Sequence, residues 1–80
     1  MKITQFDAKN QFIISNDGIT YLQSYDSIIV KQEGGHVTLD SRYWDYSNTT
    51  GKYRNRFLGE TKRDTQRKID SGEYELANLN

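Results

Sequence analysis

The sequence contains no cysteine and no proline, and it has a single histidine, a single tryptophan and a single methionine. Without cysteine there can be no disulfide, which excludes the cross-linked framework of tiny secreted scaffolds and points to a reducing compartment or to indifference about it. Long apolar runs are missing too. None exceeds three residues, as in Ile28-Ile29-Val30, against the ~18–20 residues that a membrane-spanning helix needs. The opening stretch Met1 to Asp7 is interrupted by polar residues, whereas an export signal needs an unbroken apolar run of ~7–15 residues, so none is expected. With 80 residues, a chain buries only ~60–65% of the surface its unfolded form exposes, which allows one core and not two.

Catalytic and metal-binding chemistry is equally short of material. His36 is the only candidate for acid–base or metal work. It has no second histidine, no cysteine and no spaced carboxylate cluster beside it, and it reads as a residue flanking a turn. No serine sits in a nucleophile-elbow pattern, and the six glycines are scattered at turn-like places rather than grouped as a phosphate or dinucleotide loop. The expectation is a protein that is not an enzyme and needs no cofactor or metal.

What the chain does have is alternation, turns and charge. Gln11–Ser15 and Ile19–Ser24 flank Asn16-Asp17-Gly18, and Asp-Gly between β-formers signals a two-residue hairpin turn. In that register Ile14 lies opposite Tyr21 and Phe12 opposite Gln23. Phe12, Ile14, Ile19 and Tyr21 then share one face, and Ile13 and Leu22 the other. A second hairpin joins Ser27–Glu33 to His36–Asp40 through Gly34-Gly35, pairing Val30 with Leu39 and Gln32 with Val37. Strict alternation puts Ile28, Val30, Val37 and Leu39 on an apolar face, and Ile29, Lys31, His36, Thr38 and Asp40 on a wetter one.

After Tyr46 the period changes. Ser47 to Thr50 are all good helix-starting residues, Lys52–Leu58 follows with Tyr53 and Phe57 one turn apart, and Gly59 suits the left-handed position that ends a helix. Thr61 with Asp64 three residues on resembles a capping box for a second helix, Lys62 to Asp70, stopping at Ser71-Gly72. The tail Glu73–Leu76 alternates acid and apolar, which predicts a last strand with Tyr74 and Leu76 inward. The reading is therefore an α+β fold: a single domain over residues 1–80, with a small antiparallel meander of four to five strands and two short helices in the C-terminal half.

Formal charge cancels, with 11 basic and 11 acidic residues, yet the charge is unevenly spread. Between Lys52 and Lys68 seven basic residues meet only Glu60 and Asp64. Tyr43, Trp44, Tyr46, Tyr53 and Phe57 are interleaved with Arg42, Lys52, Arg54 and Arg56. Tyrosine, tryptophan and arginine dominate binding hot spots, and aromatics between bases can also stack nucleobases. Part of this group must build the core of a chain only 34% hydrophobic, and Trp44 is expected to be largely buried. The candidate partner-binding residues are Tyr43, Tyr46, Arg54, Arg56, Arg63 and Arg67. Arg63 and Arg67, one turn apart, should project together, while Arg54 and Arg56 diverge.

Four segments, Tyr21–Val30, Leu39–Ser47, Thr50–Gly59 and Ser71–Asn80, with their elements Tyr43-Trp-Asp-Tyr-Ser47 and Lys52-Tyr-x-x-x-Phe-Leu-Gly59, resemble a family of small uncharacterised proteins from phages and plasmids of Gram-positive bacteria. The resemblance implies a cytoplasmic protein of a bacterial host cell, carried by a mobile element. Short proteins in that setting often block a host protein, and inhibitors of bacterial immune nucleases, including anti-CRISPR proteins, are one such class. The neutral charge argues against mimicry of nucleic acid and leaves surface occlusion. A host protein is thus the expected partner. A nucleic-acid-binding module built on residues 52–68 and the neighbouring aromatics is the alternative. No membrane partner is expected, and homodimerisation is compatible with exposed aromatics on so small a chain.

Overall fold

The computed structural model describes residues 1–80. Six strands, β1 (Lys2–Gln5), β2 (Gln11–Asn16), β3 (Ile19–Ser24), β4 (Ser27–Glu33), β5 (His36–Asp40) and β6 (Glu75–Ala77), form one sheet in the order in which they are numbered. The first five are joined as an antiparallel meander, and β6 returns parallel to β5. Two helices, α1 (Asn48–Leu58) and α2 (Lys62–Ser71), fill the β5–β6 connection. The fold is α+β, with one strand more than the upper limit of the sequence reading. That extra strand is β1, whose four residues are all exposed and whose only partner is β2.

Both hairpin registers are those the turns dictate: Ile14 faces Tyr21, Phe12 faces Gln23, Val30 faces Leu39 and Gln32 faces Val37. Gly34 and Gly35 have φ of 56° and 82°, and Asp17-Gly18 has 50° and 83°, so each loop places two left-handed residues in succession. Such a turn twists with the strands it joins.

The facing of β4 departs from strict alternation. The β3–β4 pairing slips between Leu22 and Gln23, so that Leu22 faces Val30 while Gln23 faces Ile28, and Ile29 is an extra residue in the strand. This bulge turns Ile29 into the core, where it is 1% exposed, and leaves Ile28 half-buried. Thr38 and Asp40, expected on a wet face, are also buried.

The core consists of Leu22, Ile29, Val30, Val37, Leu39 and Tyr74, with Phe6, Tyr43, Trp44, Phe57, Leu58 and Ile69 packed against it. Both helices therefore cover one face of the sheet, and a 2.9 Å bond between the Ser24 and Thr50 hydroxyls ties α1 to β3. On the opposite face Phe12, Ile14, Ile19 and Tyr21 remain half-buried, with no helix over them. Tyr74 is inward as expected, but Leu76 is 42% exposed. It sits on the outermost strand, with a neighbour on one side only.

The first helix begins at Asn48, four residues before the expected Lys52, and the second ends at Ser71, one residue past Asp70. The Ser47 side chain accepts from the Thr50 amide, and Thr61 and Asp64 form a reciprocal capping box. Gly59 and Gly72 close the helices at φ of 70° and 84°. No helix is long and apolar enough to cross a membrane.

Candidate functional site

The chain leaves the sheet at Asp40, whose buried carboxylate organises the loop that follows. It accepts the amides of Arg42 at 3.0 Å, Tyr43 at 2.8 Å and Leu79 at 2.8 Å. Burial pushes its pKa up, but the hydrogen bonds from Leu79, Tyr43, Asn80 and Arg42 outweigh that and hold it below the ordinary value. The loop is fixed in this way, and it presents Tyr43, Trp44, Asp45 and Tyr46 in sequence.

The two tyrosines stay together. Their rings meet edge to face at 5.5 Å, the Arg42 guanidinium lies 5.5 Å from the Tyr43 ring, and Tyr46 is 66% exposed. Tyr43 itself is half-buried against the core. Trp44 is only half-buried, less than expected, because its ring covers a charged group rather than the apolar core alone.

That group is Arg54, and here the sequence reading needs correction. Arg54 is 1% exposed. One terminal nitrogen, Nη1, donates to the Trp44 carbonyl at 2.7 Å and to Asp45 Oδ1 at 3.2 Å, while Nη2 donates to Asn55 Oδ1 at 3.0 Å. The side chain points inward from α1 and stacks 5.1 Å from the Trp44 ring. It holds the β5–α1 loop onto the helix and offers no surface to a large partner.

Arg56 does diverge from Arg54, as the helical spacing requires, but it also leaves the expected surface. It pairs with Asp7 at 2.7 Å and lies over the rings of Phe6 and Tyr53, each at 5.5 Å. Arg63 and Arg67 remain on the outer side of α2. Arg63 is exposed and without an ion pair, and Arg67 reaches only Asp64, at 3.4 Å. With Lys62, Gln66 and Asp70 they line one open cleft of about 490 Å³.

A second cleft, of about 460 Å³, adjoins it through Lys62 and is lined entirely by polar residues and Gly51. Its walls are the start of α1, including Ser47 and Lys52, and the salt-bridged trio of Asp45, Arg54 and Lys62. Asp45 Oδ2 binds the Lys62 ammonium at 2.6 Å. Burial pushes the Asp45 carboxyl up, but Lys62 first and Arg54 next hold it below its ordinary value. Sequence reasoning missed Asp45, Lys62 and Gly51 as site residues. Only the fold brings Asp45 and Lys62 together, whereas a glycine inside a helix pattern is a signal in its own right.

Behind α2 a further ionic group is structural. Glu60, 8% exposed at its side chain, accepts from Lys68 at 2.7 Å, from the Thr65 hydroxyl at 2.6 Å and from the Tyr74 hydroxyl at 2.9 Å. No group of three or more histidine, cysteine or carboxylate side chains is placed to hold a metal ion.

A helix-backed sheet whose helical layer carries adjoining basic clefts defines a small α+β protein with a cationic surface. By its match over residues 1–73, the chain belongs to a family described as a family of unknown function, DUF8033. No curated protein and no solved structure matches it.

Proposed function

We propose that this protein is a non-enzymatic binding protein that engages a macromolecular partner through the basic face of its helical layer and acts by occluding it. The observation that carries the reading is the outer side of α2. There Lys62, Arg63 and Arg67 converge on one cleft with Asp70 as the only carboxylate in its wall, and Arg63 has no ion pair of its own. Exposed arginines without internal partners do little for stability, while arginine and tyrosine are favoured anchors of interfaces. Tyr46, 66% exposed, is next in the chain to the Asp45 that binds Lys62. In the mobile-element setting implied by the resemblance, the partner is a host protein and the outcome is inhibition, with anti-defence activity the specific form.

The experiment is a pull-down from host lysate with mass spectrometry, comparing the wild-type chain with an Arg63→Glu/Arg67→Glu variant of unchanged melting temperature. The reading expects a protein captured by the first and lost by the second, with Arg56→Ala retaining it. Equal capture by both removes the α2 surface from consideration. The nucleic-acid alternative is supported by the same cations. It requires log K to fall with log salt at a slope of about −0.9 per neutralised phosphate on duplex DNA, and a protein partner without a phosphate backbone has no such requirement.

A further inference from the structure

Gly51 lies in the interior of α1, with no positive φ to demand a glycine. A β-carbon placed there would meet the Arg54 guanidinium at 3.5 Å, an ordinary contact. Alanine would fit, and in a helix interior it is worth about 1 kcal/mol over glycine. The chain forgoes that stability at a residue lining the 460 Å³ cleft. Beside it the Arg54 side chain is 1% exposed, and its Nε has no hydrogen-bond partner. A buried guanidinium N–H without an acceptor is costly unless something supplies one.

The charges around the cleft do not balance. Lys52, Arg54 and Lys62 face a single carboxylate, Asp45, which leaves a surplus of two positive charges. The first turn of α1 contains no acidic residue, so the positive end of its dipole is uncompensated there. No apolar side chain lines the space.

We propose that this cleft binds a phosphate dianion, either inorganic phosphate or the monoester of a larger molecule. A phosphate monoester carries about −1.5 to −2 at neutral pH, which matches the surplus, while a carboxylate or a phosphodiester supplies only one charge. Guanidinium, ammonium and helix amides are the donors that phosphate oxygens take. With no side chain at Gly51, the cleft wall there lies directly against the Arg54 guanidinium. The inference is independent of the macromolecular partner proposed above, and either can fail alone.

Titration of the full-length ¹⁵N-labelled chain with sodium phosphate at pH 7.5, against sodium chloride of equal ionic strength, provides the test. Saturable shifts are expected at the Gly51 and Lys52 amides and at Arg54 Nε, in phosphate only. Gly51→Ala should keep or raise the melting temperature and weaken binding about tenfold or more, about 1.4 kcal/mol. Lys62→Gln should weaken it as well, and Arg56→Ala should not. The cleft holds no histidine, so affinity for phosphoserine should fall several-fold at pH 5.5, where the monoester regains its second proton, with pKa about 6. Phosphoserine should bind like inorganic phosphate, and an oligonucleotide without a terminal phosphate should not. Identical shifts in chloride, or unchanged affinity in Gly51→Ala, would overturn the site. Tighter binding of the oligonucleotide than of phosphoserine would overturn the monoester assignment.

Discussion

At the residue scale, two internal charges do different work from the exposed ones. Arg54 is a clamp: it joins Trp44, Asp45 and Asn55. Arg54→Ala strands Asp45 with Lys62 alone and leaves a void under Trp44, and breaking a buried pair costs about 3–5 kcal/mol, reduced here because Asp45 is 35% exposed. Urea unfolding should show a loss of about 2–4 kcal/mol, while Arg63→Ala should change stability by less than about 0.5 kcal/mol. Along with Asp40 and Asp45, Glu60 contributes to the pH dependence. Burial raises its pKa, but Lys68, Thr65 and Tyr74 hold it below the ordinary 4.5. A depressed carboxyl stabilises the fold above that value, and the contribution is lost as pH falls through the lower folded value. Tyr74 titrates above its ordinary 10.0, through burial first and Glu60 second. Its contribution is therefore complete below pH 10.0 and lost as pH climbs past that. Glu60→Gln should cost about 1–3 kcal/mol at pH 7, and less at pH 3. Unfolding midpoints at the two pH values check it.

At the scale of elements, β4 shows where the sequence could be read and where it could not. The Asp-Gly and Gly-Gly turns fix both hairpin registers because a two-residue loop with two left-handed residues allows only one pairing. A bulge leaves no such local mark. Ile28, Ile29 and Val30 are three consecutive β-branched residues, and nothing in their identity says which is the extra one. The slip is set by the helical layer's demand for apolar cover, which is a tertiary matter. The same limit explains Arg54. Helical spacing separates it from Arg56, but which of the two turns inward depends on where the β5–α1 loop crosses α1. The short β1, with one partner and no buried residue, carries too weak an alternation to be seen. A direct check of the bulge is to compare Ile29→Ala with Ile28→Ala. Strict alternation makes Ile28 the costlier loss, whereas the bulge assigns about 2–5 kcal/mol to Ile29 and clearly less to half-buried Ile28. Chemical denaturation of the two variants should reproduce that order.

At the scale of the whole molecule, the two faces of the sheet live under different rules. Leu22, facing Ile13 on β2 and Val30 on β4, is fully buried beneath the helices. One strand away Ile14 faces Ile3 and Tyr21 on the uncovered side, where Ile3 is 59% exposed. Both are large aliphatic residues in the interior of the meander, and a sequence pattern treats them alike. Their energetic weight differs because burial, and not hydrophobicity, sets the cost of removal. Domains of this size are stable by about 4–12 kcal/mol in total. Leu22→Ala, at about 3–5 kcal/mol, therefore consumes much of what holds the fold. Ile14→Thr keeps the β-branch, loses only part of a cross-strand contact and should cost about 1 kcal/mol or less. Amide exchange gives the sharper reading: the Leu22 variant should lose protection throughout β2 to β5, because the core it belongs to is shared by every strand it touches. The Ile14 variant should lose protection only at the β1–β2 edge. Equal, global losses in both variants would mean that the uncovered face is packed against something in solution, and that the helical layer alone does not account for the stability of the sheet.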